Sequence, residues 1–120
     1  MQSEFDMLHH VSGWSDLAAA SVGDSFVLVP GPQHAEGPGV YFSADVPRFT
    51  AAEGAVKGVA AVVRIDTPSA IGWWRTKAGI ARKFGRAITW HSLGRSVRCF
   101  VCALSIVDGV RYLDCDWQFV

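Results

Sequence analysis

Residues 97–106 read Val-Arg-Cys-Phe-Val-Cys-Ala-Leu-Ser-Ile, an apolar and β-branched run that is typical of a strand. The dipeptide Asp108-Gly109 follows, and Val110–Val120 forms a second strand-like run. An Asp-Gly pair between two such runs is a strong signal for a tight β-hairpin, because both residues tolerate positive φ angles. The sequence therefore predicts a long hairpin at the C-terminal end and, with it, a sheet-based fold.

Shorter strands and helices are predicted before this hairpin. The predicted strands are Phe5–Val11, Ser25–Val29, Val40–Ser43 and Val59–Ile65. The predicted helices are Trp14–Ala20 and a segment that starts at Asp45 or Pro47 and ends near Val56. Residues 71–87 fit one basic amphipathic helix, or a helix and a loop. We therefore expect an α+β domain with about six strands and two or three short helices.

Composition narrows the class of protein. With 120 residues, of which 50% are hydrophobic, the chain is expected to form a single domain over residues 1–120. No apolar run approaches the roughly 18 residues that a bilayer-spanning helix needs. The first residues include Glu4 and Asp6, the wrong charge for a secretory signal. We expect a cytoplasmic protein that makes no contact with a membrane.

Charge is unevenly distributed, although the net charge is zero. Residues 67–107 contain seven lysines and arginines and no acidic residue. Aromatic residues interleave with this basic block, a pattern that favours contact with the phosphates of nucleic acid or of a dinucleotide. A solvated helix face is the alternative. The residues that would contact a nucleic acid are Arg75, Lys77, Arg82, Lys83 and Arg86.

The three cysteines, Cys99, Cys102 and Cys115, are expected to be reduced thiols, because their number is odd and no secretory signal precedes them. Cys99-Phe-Val-Cys102 has the spacing of a metal-binding or redox pair. However, residues three apart on a strand point to opposite faces of the sheet. No second pair of histidines or cysteines has ligand spacing, so the sequence argues against a metal site.

Two short motifs bear on function. Leu8-His9-His10-Val11-Ser12 ends the first apolar segment, and Gly39-Val40-Tyr41-Phe42-Ser43 forms a later strand. A His-x-Ser turn followed by such a strand resembles the first two signature elements of NAD-consuming ADP-ribosyltransferases of the His-Tyr-Glu type. Asp108-Gly109-Val110 and Trp117-Gln118-Phe119-Val120 are similar to the pair of elements that closes many small bacterial members of that family.

The resemblance implies a split β-sheet core, NAD as the substrate and a role for each matched residue. His10 would hydrogen-bond a ribose hydroxyl, and the backbone of Val11 would clamp the nicotinamide carboxamide. Ser12 would fix the side chain of His10. Tyr41 would stack on the nicotinamide ring, with Ser43 in the same cofactor-binding element. We therefore expect the side chains of His10 and Tyr41 to line one pocket, with the loop of residues 30–39 at its rim.

The pattern departs at Gln118, where the family has a catalytic carboxylate. A neutral amide keeps a hydrogen bond to a hydroxyl but lacks the negative charge that stabilises an oxocarbenium-like transition state. One explanation is a substitution that silences the enzyme, and another is a natural variant with altered chemistry. A third is a shifted alignment with Asp116 or Asp114 as the carboxylate, since the three residues share one face of a strand.

The resemblance implies an NAD-dependent mono-ADP-ribosyltransferase, a glycosyltransferase of toxin or effector type. Its acceptor would be nucleic acid or protein, and a cognate antitoxin is a further expected partner. One alternative is an NAD glycohydrolase, which uses water as the acceptor. Another is a catalytically inactive module that binds NAD, ADP-ribose or a partner protein. An RNA 2′-phosphotransferase shares the fold, but of its several arginine and histidine positions only His10 is matched.

Overall fold

Strands dominate the computed structural model of the protein, which describes residues 7–31, 37–44, 47–66, 73–75, 82–83, 86–87 and 90–120. The strands in these ranges are β1 (Met7–Ser12), β2 (Ser25–Leu28), β3 (Tyr41–Phe42), β4 (Ala61–Asp66), β5 (Trp74–Arg75), β6 (Arg82–Lys83), β7 (Arg86–Ala87), β8 (Trp90–His91), β9 (Val97–Val107) and β10 (Val110–Phe119). The helices described are a 3-10 helix (Ser15–Ala19) and α1 (Ala51–Val56). The protein is therefore a sheet-dominated, mixed α and β domain.

The predicted C-terminal hairpin is confirmed and supplies two strands of the main sheet. β9 and β10 pair antiparallel from Val107–Val110 at the turn to Val97–Phe119 at the open end. Asp108 and Gly109 have φ angles of 52° and 79°. Two consecutive positive φ angles are the conformation that matches the twist of a two-residue hairpin. The Asp-Gly dipeptide thus sets the register of the longest strand pair as far as Asp114, where a bulge shifts the pairing by one residue.

The main sheet has five strands in the order β1-β4-β10-β9-β2. β10 runs parallel to β4, whereas β1–β4 and β2–β9 are antiparallel pairs. A second sheet has the order β3-β8-β5, and β6 pairs with β7. The two larger sheets meet where His9 and Ser43 exchange backbone hydrogen bonds of 2.7 and 2.8 Å. This bridge brings the two motifs singled out in the sequence side by side.

Side-chain alternation gives the main sheet two faces with different surroundings. The inner face carries Leu8 and His10 on β1, Val63 on β4, and Leu113, Cys115, Trp117 and Phe119 on β10. The outer face carries His9 and Val11 on β1, Val62 and Arg64 on β4, and Tyr112, Asp114, Asp116 and Gln118 on β10. The larger hydrophobic core lies against the inner face, and a smaller cluster around Phe49, Val62, Val110 and Tyr112 covers part of the outer face.

Helix α1 begins later than the sequence prediction. Its N-cap is Thr50, whose Oγ1 accepts a hydrogen bond of 3.1 Å from the Glu53 backbone N–H. A threonine with glutamate three residues on is a capping signal. The predicted start at Pro47 is wrong, because this residue lies before the cap and outside the helix, while Asp45 falls outside the described residues.

The helix predicted within residues 71–87 is wrong wherever the structure describes that segment. β5 pairs with β8, and β6 pairs with β7, so these positions belong to short strands. Gly85, between β6 and β7, disfavours a continuous helix because glycine is a poor helix former. Of the residues assigned to nucleic-acid contact, Arg75 lies on β5, Arg82 and Lys83 on β6, and Arg86 on β7, while Lys77 is outside the described residues.

The helices of the described ranges are short. α1 has six residues, and no helix in these ranges has the length and apolar character needed to cross a bilayer.

Candidate functional site

The imidazole of His10 is hydrogen-bonded to the strand that carries Tyr41. Its Nδ1 lies 2.8 Å from the backbone carbonyl oxygen of Tyr41. A carbonyl oxygen can only accept, so Nδ1 carries the proton, and in the neutral ring Nε2 is then an acceptor. The ring of His10 also contacts the ring of Phe42, with centroids 5.3 Å apart. Together these contacts fix the orientation of the imidazole on the inner face.

The backbone of Val11 lies where β1 and β3 part. The N–H and C=O of His9 both bond Ser43, so the ladder alternation turns the same groups of Val11 toward the β3 side. Pairing between the two strands does not continue to this position. In the part of the chain that the structure describes, neither backbone group of Val11 has a hydrogen-bond partner. One donor and one acceptor therefore stand side by side beside His10.

The side chain of Tyr41 does not join that of His10, contrary to expectation. Its ring stacks on His91 with centroids 4.8 Å apart and an interplanar angle of 24°. Its hydroxyl donates to the carbonyl of Gly37 at 2.5 Å, and the residue is only 6% exposed. Because Phe42 contacts His10 and adjacent strand residues alternate, the ring of Tyr41 lies on the other side of β3. The expected common pocket of His10 and Tyr41 is therefore wrong; the structure joins the backbone of Tyr41 to His10.

His91 also lies in this region, although no motif in the sequence selects it as a site residue. It pairs with Tyr41 across β3 and β8, and its Nδ1 accepts a hydrogen bond of 3.2 Å from the Leu93 N–H. A Cβ at Gly39 would lie 3.1 Å from that nitrogen, so this glycine permits the close packing. Part of the Gly-Val-Tyr-Phe-Ser motif thus has a structural explanation.

The two serines of the motifs act locally. Ser12 Oγ accepts a hydrogen bond of 3.1 Å from the Trp14 N–H and so stabilises the turn after β1. The carbonyl of Ser43 lies 3.3 Å from Nδ1 of His9 in addition to the backbone bridge. Ser43 therefore belongs to the β1–β3 junction through its backbone, whereas a contact between Ser12 and His10 is not among the described hydrogen bonds.

Gln118 and His10 lie on opposite faces of the main sheet, so the structure does not bring these two predicted site residues together. Trp117 and Phe119, on either side of Gln118, both contact Trp73 in the inner core. Gln118 is exposed on the outer face, where Arg98 is its partner on β9. The predicted common face of Asp114, Asp116 and Gln118 is present, but it is not the face of His10. Asp114 there forms an ion pair with Arg64.

A cavity of about 470 Å³ opens on the outer face near the start of α1. It is lined by Pro47, Arg48, Phe49, Thr50, Glu53, Arg64, Val107, Asp108 and Tyr112. None of the site residues predicted from the sequence lines it. In the described ranges, no group of three or more His, Cys, Asp or Glu residues is placed to hold a metal ion.

Comparison with known proteins gives no match: no family model fits the chain, and no curated protein or solved structure is significantly similar to it.

Proposed function

We propose that this protein binds NAD at the junction of β1 and β3, in the manner of an ADP-ribosyltransferase-type domain. The observation that carries the proposal is the hydrogen bond of 2.8 Å between His10 Nδ1 and the Tyr41 carbonyl. It connects the two sequence motifs that resemble the family, although 31 residues separate them. Such a bond presets the imidazole for a ligand, because the ring does not have to be ordered on binding.

The chemistry of the junction suits the nicotinamide end of NAD. A carboxamide presents a donor and an acceptor side by side, which complements the backbone C=O and N–H of Val11. Nε2 of His10 would accept a hydrogen bond from a ribose hydroxyl. Tyr41 contributes its carbonyl to His10 and its ring to the packing on His91, in place of the stacking role that the resemblance implied. At the nicotinamide end, these contacts need no charged group.

Mono-ADP-ribosyl transfer is the second candidate function. In that reaction the nicotinamide–ribose bond breaks, nicotinamide leaves, and an acceptor nucleophile bonds the ribose carbon and releases its proton. One feature bears on it: within the described residues, β10 pairs with β4 only as far as Cys115–Ile65, so Gln118, which stands at the family's carboxylate position, lies beyond that ladder. The acceptor would be a nucleic acid that meets the basic block, or a protein. With water as the acceptor the same cleavage is an NAD glycohydrolase reaction.

The absence of charge at Gln118 leads us to expect binding with little turnover. The carboxylates on β10, Asp114 and Asp116, face away from His10, and within the described part of that strand no acidic side chain shares its face. Negative charge near the forming oxocarbenium ion is the main electrostatic term in such a cleavage. A domain that binds NAD or ADP-ribose without consuming it is thus the form of the proposal that the geometry favours.

Calorimetry and thermal unfolding with NAD test the proposal. At a hundredfold excess over its dissociation constant, NAD should stabilise the protein by about 2.7 kcal/mol. His10→Ala should remove most of this stabilisation, whereas Gln118→Ala, which alters an exposed side chain on the outer face, should keep it. The proposal fails if millimolar NAD leaves the wild-type transition unchanged, or if His10→Ala, shown to be folded by circular dichroism, responds to NAD as the wild type does.

A further inference from the structure

Trp73 lies at the centre of an aromatic cluster formed with Phe42, Trp117 and Phe119. Its ring centroid lies 5.5 Å from that of Phe42, 5.2 Å from that of Trp117 and 5.1 Å from that of Phe119. Trp73 is 5% exposed, so almost all of the indole is buried. The cluster packs against the inner face of the main sheet, at the end where β10 extends beyond β4.

Among the residues that the structure describes, the buried indole N–H of Trp73 has no hydrogen-bond partner. Buried polar groups are nearly always paired, because an unmade hydrogen bond leaves the cost of desolvation uncompensated. The neighbouring Trp117 shows the usual arrangement: its Nε1 donates to the carbonyl of Asp66 at 2.7 Å. Within one cluster, therefore, one indole N–H is satisfied and the other is not.

The unpaired donor lies close to the proposed NAD site. The ring of Phe42 contacts both His10, at 5.3 Å, and Trp73, at 5.5 Å, so a single ring separates the imidazole from the indole. The guanidinium of Arg95 lies 3.6 Å over the ring of Phe119 and brings positive charge to the same cluster. A dinucleotide carries oxygen acceptors, which complement the indole N–H, and a negatively charged pyrophosphate, which complements the guanidinium.

We propose that the indole N–H of Trp73 donates a hydrogen bond to an oxygen of the bound dinucleotide, which makes Trp73 a ligand-positioning residue. This inference rests on the proposed function. The buried, unpaired donor carries the free-energy cost of lost hydration in the unbound protein. A hydrogen bond to the ligand removes this cost, so it contributes more to binding than a bond that only replaces one to water. The acceptor is a carboxamide or ribose oxygen at the nicotinamide end, since that end meets His10.

The chain offers a matched pair of variants for the test. Trp73→Phe removes the unpaired N–H, whereas Trp117→Phe removes the N–H that bonds the carbonyl of Asp66. Both variants replace an indole of the same cluster by a smaller phenyl ring. We expect Trp73→Phe to weaken NAD binding about tenfold, equivalent to about 1.4 kcal/mol. We expect Trp117→Phe to bind NAD within about twofold of the wild type, since a twofold change is about 0.4 kcal/mol and lies within ordinary mutational scatter.

Nuclear magnetic resonance of the wild-type indole N–H groups gives a second readout. The chain has five tryptophans, and the two variants assign the signals of Trp73 and Trp117. NAD should shift the Trp73 N–H signal downfield, as a new hydrogen bond does, and leave that of Trp117 in place. If Trp73→Phe fails to fold, the titration of the wild type tests the inference alone. Variants of the other four tryptophans then assign their signals, and the remaining signal is that of Trp73.

The outcomes separate this inference from the proposed function. If the wild type binds NAD but Trp73→Phe binds equally well and the Trp73 signal does not move, the inference is overturned and the proposed function stands. If the wild type does not bind NAD at all, both are overturned. A tenfold loss confined to Trp73→Phe, together with a shifted Trp73 signal, supports both.

Discussion

Arg64 and Asp114 face each other across the parallel pair of β4 and β10, joined by two hydrogen bonds. Arg64 Nε donates to Oδ1 at 2.5 Å and Nη2 donates to Oδ2 at 3.1 Å. The guanidinium also lies 5.0 Å over the ring of Tyr112. With side chains 28% and 36% exposed, this is a bidentate pair partly sheltered from water. It clamps the centre of the main sheet on its outer face.

Asp114→Asn is expected to lower the free energy of unfolding by about 1 kcal/mol, the upper end for a partly exposed pair with good geometry. Asp116→Asn is the control, because this carboxylate is exposed two residues further on the same face, and its effect should stay within about 0.5 kcal/mol. Urea denaturation measures both, and equal losses would show that the bidentate pair adds nothing.

Gly109→Ala is expected to destabilise the protein by about 2 kcal/mol, from a positive φ combined with overpacking. Gly109 has a φ of 79°, and a Cβ there would lie 2.7 Å from the Cβ of Ala51 in α1. Gly23→Ala is the matched control, since its φ is 95° and a Cβ would meet nothing within 4 Å. In Gly23→Ala, therefore, only the strain of the positive φ angle lowers stability. If the two variants unfold at the same urea concentration, the contact between the turn and α1 is not what costs stability.

Tyr41→Phe should lower stability by about 1 kcal/mol, because the hydrogen bond to Gly37 is lost. NAD affinity should stay within about twofold of the wild type, since the proposed site uses the carbonyl of Tyr41 and not its hydroxyl. Tyr112→Phe is a parallel control on the outer face, where the hydroxyl donates to Pro47 at 3.0 Å. A selective loss of NAD binding in Tyr41→Phe, measured by calorimetry, would instead place that hydroxyl against the ligand.

Gln118→Glu tests the second candidate function. A carboxylate placed against the developing positive charge of the transition state typically raises the rate of cleavage by about 10²–10³. Because Gln118 lies on the face opposite to His10, we expect nicotinamide release from NAD to stay at the wild-type rate. A small gain in stability, of about 0.2–1 kcal/mol, is expected from the new charge beside Arg98 on β9. A large increase in nicotinamide release would contradict this placement and favour the transferase.

The three thiols should differ sharply in reactivity. A hydrogen bond with Cys99, followed in importance by burial, raises the pKa of Cys115 well above that of an ordinary thiol. Cys102 is exposed, whereas Cys99 and Cys115 are buried. At neutral pH a thiol reagent should therefore modify Cys102 first and reach the other two only on unfolding, as mass spectrometry would show. Rapid labelling of Cys115 in the folded protein would be the contrary result.

The same raised pKa sets a pH dependence. Since the folded state holds Cys115 as the neutral thiol, its contribution to stability is complete below the pKa of 9.0 that the unfolded thiol has and declines as the pH rises above it. Between pH 7 and pH 10 the free energy of unfolding should therefore fall less in Cys115→Ala than in the wild type. Urea denaturation at the two pH values measures this difference.

The hairpin could be predicted because its signals are local. Asp108 and Gly109 carry the turn in their own conformational preferences, and the flanking runs are long and β-branched. The start of α1 was misplaced because Asp45 and Pro47 are also helix-start signals, and only the pairing of Thr50 with Glu53 distinguishes the true cap. Strands of two residues, such as β5 and β8, have no periodicity to detect and exist through their partners.

The candidate site was only partly predictable for a similar reason. The proximity of His10 to the Tyr41 strand followed from the family resemblance, but which side of β3 each ring occupies depends on the His9–Ser43 register. A shift by one residue exchanges the two faces of a strand. The same holds for Gln118, whose face is set by the turn at Asp108 and Gly109. The role of His91 depends on a cross-strand pairing that leaves no local trace.

The tight turn at Asp108 and Gly109 also has a kinetic consequence. A hairpin closed by two residues can form in about 1–10 μs. By contrast, Arg64 and Asp114 are 50 residues apart in the chain, so β4 must pay the entropy of closing a long loop before it docks on β10. β1 pairs with β4 and not with the hairpin. We expect the hairpin to act as the template of folding, and the strand that carries His10 to be placed after β4.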